Sequence, residues 1–256
     1  LQDNTIVLIS SQMPVGSIAS LEKEFAAHNF NKTIYFACSP ENLRLGQALK
    51  VFKTSERILV GVRNNECRQK LEPILSRFTN NIMWMGIEAA ELSKHAINSW
   101  LAMSITFINE ISRIAEKLGA DANEVEAAMR SENRIGQNAY IKPGGAFAGG
   151  TLARDLNFLC QTADLHNEII PFLKSILPSN DIHRNWPLDR LQNVVGDLDG
   201  KTISILGLTY KPGTDTLRRS PAMMLVDELS AHQVSIKAFD PMIKTLEEDQ
   251  SLIQLC

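Results

Sequence analysis

The stretch "EAAELSKHAINSWLAMSITFINEISRIAEKLG" (residues 88–119) runs without proline or glycine until Gly119. Ala89, Leu92, Ala96, Trp100, Met103 and Phe107 recur at steps of three and four, the period of one α-helical face. Ile97, Leu101, Ile105 and Ile108 form a second apolar stripe beside it. The spacing predicts one continuous helix of roughly 30 residues, far longer than the usual helix of about 11–12. So broad an apolar face exceeds what one small domain can cover. The helix is therefore expected to span domains or subunits, and to make the protein a homodimer or a higher homo-oligomer.

The texture on either side of this helix differs. Before it, "TIVLIS" (5–10), "KTIYFAC" (32–38) and "RILVGV" (57–62) are short, β-branched apolar runs. They alternate with the helical patterns "IASLEKEFAAH" (18–28) and "NECRQKLEPILSRF" (65–78), and "NNIMWMG" (80–86) reads as extended. Such alternation predicts a parallel α/β layer. After the helix come "DANEVEAAMRS" (121–131), with Asp121 as N-cap, then a glycine-rich loop and a further helix from Arg154 and Asp155. "NWPLDRLQNVVGDLDGK" (185–201), with its proline and glycines, reads as a joining segment. "KTISILGLTYKPGTDT" (201–216), "SPAMMLVDELSAHQ" (220–233) and "VSIKAFDP" (234–241) form a second βαβ unit, with Ser220 as N-cap and Pro221 at the first helical position. The expected division is 1–86, 87–184 and 185–256: an α/β chain with two Rossmann-like parallel-sheet domains joined by a long central helix, both terminal domains incomplete.

With 256 residues, 44% hydrophobic and 21% charged, the chain has the composition of an ordinary globular protein. A net charge of -3 gives no general basic field for nucleic acid or an anionic membrane. No apolar run nears the ~18 residues of a membrane span. Cys38, Cys67, Cys160 and Cys256 are scattered without a CxxC spacing, which reads as reduced thiols of a cytoplasmic protein and implies no metal site. The first residue is Leu1, so residues upstream of it are expected.

Chemistry-bearing residues gather at a few points. Gly144, Gly145, Gly149 and Gly150 crowd "GGAFAGGTLARD" (144–155), a loop that enters a helix through Thr151. Glycines let backbone N–H groups approach a ligand closely, and a helix N-terminus favours an anion. Taken alone, the loop has a plainer account, with Asp155 simply complementing the helix dipole. Lys94 and Asn98 share one helix face at a spacing of four, and alone would read as a solvated face. "SPEN" places Glu41 just after a strand, where α/β sites collect. Arg134 precedes the glycine loop, and Lys211 and Arg218 flank a strand-to-helix turn suited to phosphate.

The order of these motifs resembles the UDP-glucose/GDP-mannose dehydrogenase family of nucleotide-sugar dehydrogenases. The matching segments are "SSQMPVGS", "SPENLRLG", "AAELSKHAINSWLA…FINE", "RIG", "YIKPGGAFAGGTLARDL" and "GLTYKPGTDTLRRSPA…FDP", in the family's order along nearly the whole chain. The resemblance implies an NAD-binding Rossmann domain, a long-helix dimerisation region and a C-terminal UDP-sugar domain. It also implies oxidation of the C6 alcohol of a UDP- or GDP-sugar to a carboxylate with two NAD+, through a cysteine thioester. The family's opening GxGxxG unit has no counterpart among these residues. Carried over, Lys94 stabilises the oxyanion, Asn98 and Asp155 handle water, and Glu41 helps to activate it. Ser11 falls near a family threonine at the cofactor, where Glu41 and Arg154 are also expected. Arg134 matches an arginine that reaches the neighbouring subunit's sugar. Tyr140, Phe147 and Gly149 line the nucleotide-sugar site, with Lys211 and Arg218 close to it.

One position departs from the pattern. The family loop reads like GFGGSCxPKD, and here it reads "AFAGGTLARD" (146–155). Thr151 stands at the nucleophilic cysteine, Arg154 at the lysine, and Ala148 at a glycine. A threonine hydroxyl is barely ionised near neutral pH, whereas a thiolate forms readily. Two readings follow: a dehydrogenase limited at its second oxidation, or a non-catalytic nucleotide-sugar-binding or assembly subunit.

Overall fold

The computed structural model describes residues 1–28, 31–41, 56–148, 150–245 and 253–255. The chain divides into two compact units, Leu1–Asn98 with Asn157–Ile169, and Ser99–Leu156 with Ile170–Cys256.

The first unit is a four-stranded sheet in the order β1 (Thr5–Ile9), β2 (Ile34–Cys38), β3 (Ile58–Val62), β4 (Ile82–Met85). β1 and β2 are parallel with α1 (Ser17–Ala27) between them in sequence, and β3 and β4 are parallel with α2 (Asn65–Leu75) between them. The two pairs meet antiparallel, through Ala37 opposite Val62 and Cys38 opposite Gly61. The expected parallel layer holds within each pair and is interrupted at this one seam. A strand buried on both faces reads the same in either direction, so hydrophobic pattern alone does not orient it. Tyr35, Ala37, Ile58, Val60, Cys67, Leu71 and Leu75 form one core cluster, and Ile18, Cys38, Ile87 and Ala90 another.

α3 (Ile87–Leu118) is the long helix, 32 residues without a break. Its buried face is only in part the apolar surface picked out by periodicity: of the second stripe Ile108 is buried and Ile97, Leu101 and Ile105 are half-buried. Glu91, His95, Asn98, Ala102, Thr106 and Asn109, also three and four apart, are buried, whereas Leu92, Trp100 and Phe107 are exposed, Trp100 to 66%. Its hydroxyls fold back on the helix: Ser104 donates to the Trp100 carbonyl at 2.8 Å and Thr106 to the Ala102 carbonyl at 2.9 Å. These bonds let polar side chains sit in a helix interior without leaving a donor unmatched.

The second unit carries α4 (Ala122–Ser131), α6 (Pro171–Arg184), α7 (Trp186–Val195) and α8 (Pro221–Leu229), with the parallel sheet β5 (Thr202–Leu206), β6 (Ser235–Phe239), β7 (Ile253–Leu255). α5 (Thr151–Leu165) starts in this unit and continues in the first. Asp121 and Ser220 cap α4 and α8, each accepting from a backbone N–H two residues on. The joining segment is not irregular: its first half is α7. Pro187 lies in the first turn, where a proline starts a helix, and Gly196 with φ +77° ends it. Leu198, Ile205, Leu208, Val226, Leu229, Ile236, Ala238 and Ile253 make the sheet's core.

Gly61 fixes the seat of α3 on the first sheet. A Cβ added there would lie 2.8 Å from the Ala90 Cβ and 2.8 Å from the Ile87 Cα. The second atom is backbone, so relief requires the helix itself to shift. Gly61→Ala is expected to cost about 1–3 kcal/mol by overpacking. Urea denaturation followed by circular dichroism measures this, and an unchanged midpoint would mean that the helix start yields freely.

Candidate active site

In the first unit, a small cavity opens where β1 and β2 end. It is lined by Ser11, Gln12, Met13, Cys38, Pro40, Glu91, Lys94 and His95. Its walls are set from α3. The Glu91 carboxylate accepts the backbone N–H of Gly16 at 2.7 Å and of Ile18 at 3.1 Å. Gly16, at φ +89°, precedes α1 and offers no side-chain cap, so the remote carboxylate caps the helix in its place. His95 donates Nε2–H to the Met13 carbonyl at 2.9 Å and meets the Phe158 ring edge-on at 5.6 Å. Segment 13–18 is thus held by two successive inward positions of one helix. Lys94, between them, is half-buried, and Asn98 is buried one turn on. Glu41 lies exposed just past Pro40, and Ser11 is exposed at the end of β1. The Cys38 thiol is pushed up to about 12 by burial, with the Glu91 charge adding to it. It is therefore not a nucleophile near neutral pH.

In the second unit the glycine loop has little backbone ladder of its own. Side chains supply the partners. Asn109 of α3 accepts the Gly144 N–H at 3.1 Å and donates to the Gly145 carbonyl at 3.3 Å. Asn180 of α6 accepts the Phe147 N–H at 2.9 Å and donates to the Phe147 carbonyl at 2.9 Å. His183, one turn beyond, donates Nε2–H to the Gly144 carbonyl at 2.8 Å and stacks on Trp186. A cleft of about 480 Å³ lies against the loop, bordered by Glu116, Asp121, Pro143, Gly144, His183 and Trp186. Gly144 and Gly145 have no described atom within 4 Å of where a Cβ would stand. The fold therefore does not demand glycine there, and the space beside the backbone is open.

Thr151 is the exposed first residue of α5, three positions before the start expected at Arg154. Asp155, one turn in, is fully buried, with Arg154 Nε 4.0 Å from its Oδ1. Phe147 is buried and Tyr140 exposed. Arg134 is exposed and ion-paired with Glu132 at 2.9 Å. Gly149 lies outside the described residues. Lys211 is half-buried and Arg218 exposed in the loop after β5. That loop is tied to the end of β6 by Asp240, whose carboxylate accepts the N–H groups of Leu208 (2.7 Å), Thr209 (3.0 Å) and Met242 (2.9 Å). These backbone donors hold the Asp240 carboxyl below its ordinary range. Tyr210 of the same loop reaches the glycine loop: its hydroxyl would stand 3.3 Å from a Cβ on Gly150.

Glu91, Asn109, Tyr210, Asn180, His183 and Asp240 were not singled out from the sequence. One signal was present: Asn109 follows Asn98 by eleven residues, three helical turns, which places both amides on one face.

Comparison with known proteins gives three matches in order along the chain. Residues 1–79, 88–182 and 204–256 match, in order, the NAD binding domain, the central domain and the UDP binding domain of the UDP-glucose/GDP-mannose dehydrogenase family. The chain belongs to this family. It is 35% identical over 242 residues to a UDP-glucose 6-dehydrogenase of Bacillus subtilis, covering 93% of this chain and 54% of that protein. A UDP-glucose 6-dehydrogenase of Rickettsia conorii is 34% identical, covering 94% of this chain and 56% of its own length. The chain thus spans little more than half the length of these relatives. Among solved structures, a UDP-glucose dehydrogenase from Pyrobaculum islandicum superposes with a TM-score of 0.85 at 25% identity, over 98% of this chain and 62% of that one.

His183 gives the second unit a pH dependence. Burial pushes its pKa below the ordinary 6.5; Arg113 adds to the effect and the Gly144 bond opposes it. Between 6.5 and the lowered native value the unfolded chain holds a proton that the folded chain lacks, so stability is full above 6.5 and falls as pH drops. In His183→Gln, which keeps a donor for Gly144, the loss of melting temperature from pH 7.5 to 5.5 is expected to be smaller than in the parent. Equal losses would remove His183 from the account.

Proposed function

We propose that the protein takes part in NAD-dependent oxidation of a UDP- or GDP-sugar, with hydride leaving the C6 alcohol and the second oxidation limited at Thr151. The observation that carries this reading is the residue set: the family's polar catalytic positions fall on Lys94, Asn98 and Asp155, while its nucleophile position holds a threonine. Removing hydride from an alcohol requires a proton acceptor and stabilisation of the alkoxide. The Lys94 ammonium suits the oxyanion, and Asn98 and Asp155 suit proton and water handling. Arg134, fully on the surface, suits the sugar of a neighbouring subunit. Tyr140, Phe147, Gly149, Lys211 and Arg218 suit the nucleotide sugar itself.

The residues at the ends of β1 and β2 fit one wall of an NAD site. Ser11 and Gln12 border a cavity at the carboxyl ends of two parallel strands, where dinucleotides bind in such sheets. The N-terminus of α1 does not fit the pyrophosphate, because the Glu91 carboxylate already takes its N–H groups. NAD, when bound, accepts the hydride. Glu41, just past β2, extends the expected polar edge of that site.

Converting the resulting aldehyde to an acid goes most easily through a thiohemiacetal, which Thr151 cannot form and Cys38, with its thiol pushed up to about 12, is not suited to form. The expected product is an aldehyde with one NADH per sugar, and Thr151→Cys is expected to raise the second step. Mass spectrometry of the product with NADH counting checks this. Two NADH and a carboxylate from the parent would defeat the limitation. No NADH at all, with the sugar still bound, would favour the second reading, a non-catalytic nucleotide-sugar-binding subunit, which Thr151 also supports.

The exposed stripe of Leu92, Trp100 and Phe107 on α3 supports a dimer built on that helix. Sedimentation at micromolar concentration is expected to give a dimer for the parent and a monomer for Trp100→Glu. A monomeric parent would end this part of the proposal.

A further inference from the structure

The glycine loop presents a physical problem. Glycine loses more backbone entropy on ordering than any other residue, on the order of 1–2 kcal/mol or more for each residue fixed. The loop 144–150 contains four glycines, and among its described residues the internal backbone bond is that of the Gly150 N–H to the Ala148 carbonyl at 2.7 Å. Left to itself it would populate many conformations. Two buried amides hold it instead. Asn109 and Asn180 are each 1% exposed, and each both accepts from and donates to loop backbone. A side-chain amide offers an N–H donor and a carbonyl acceptor side by side in one plane, as a peptide group does, so each asparagine imitates the edge of a paired strand. The two sit at different points. Asn109, from α3, fixes Gly144 and Gly145; Asn180, from α6, fixes Phe147 four residues before Thr151.

We infer that Asn109 and Asn180 are positioning residues that hold Gly144, Gly145 and Phe147 of the glycine loop in place, so that a nucleotide sugar meets backbone already ordered at those residues. They act through the loop main chain and are not catalytic residues. The inference rests on the proposal that this loop receives a nucleotide sugar. Ordering the loop before binding removes an entropic cost that the ligand would otherwise bear.

Asn180→Ala and Asn109→Ala test this in the 256-residue chain. Alanine is the better helix former, so neither α3 nor α6 is weakened by the change. Amide hydrogen exchange at residues 145–150, measured without ligand, is expected to accelerate about tenfold or more in each variant, with α6 amides unchanged. UDP-glucose affinity, by calorimetry, is expected to fall about tenfold in parallel. Unchanged exchange in both variants overturns the inference. A loss of affinity without faster exchange also overturns it, because the amides would then touch the sugar directly. If the parent chain binds no UDP-glucose, the proposed function fails, and exchange alone decides whether the amides order the loop.

Discussion

The constraint on which this structure rests is the row of polar side chains buried along α3 beside Ile87, Ala90, Ala102, Ile108 and Ala115. A long helix is ordinarily expected to hide its apolar stripe and wet its polar one. Here Glu91, His95, Asn98, Thr106 and Asn109 face inward, and Leu92, Trp100 and Phe107 face out. Burying that many polar groups is tolerable only if each finds a partner. Glu91 takes the N–H groups at the start of α1, His95 takes the Met13 carbonyl, Thr106 bonds its own helix, and Asn109 takes the glycine loop. The helix is therefore less a hydrophobic plug than a row of hydrogen-bonding groups that hold loops.

The same device recurs away from α3. Asn180 and His183 extend it from α6 to Phe147 and Gly144, and Asp240 extends it to the loop after β5. In each case a side chain on a regular element, or just past its end, satisfies backbone groups of an irregular one. Loop backbone groups without partners in a ladder of their own gain them from a neighbouring side chain.

The chemistry at the two cysteine-related positions follows from environment as well as from identity. Cys38 borders the cavity that includes Lys94, but burial and the Glu91 charge hold its proton. Thr151 is exposed at a helix N-terminus, the setting that lowers a thiol's pKa, yet a hydroxyl stays protonated there. Under the proposed function, it is this contrast between Cys38 and Thr151 that limits the second oxidation.

The long helix, most strand positions and two caps were legible in the sequence because they depend on neighbours a few residues away. The uninterrupted periodicity from Ile87 to Leu118, the Asp121 and Ser220 caps and the order of family motifs are of this kind. The sequence likewise marked Lys94, Asn98, Thr151 and Asp155 through motifs with fixed spacing. Tertiary structure alone decided which face of α3 is buried, the antiparallel seam between β2 and β3, and the roles of Glu91 and Asn180. Glu91 reads locally as a solvated charge, and its partners lie more than 70 residues away at Gly16 and Ile18. Asn180 reads as a weak helix residue until Phe147, 33 positions earlier, is brought against it. Burial and hydrogen-bond pairing are properties of two segments at once, and a one-dimensional pattern carries only one of them.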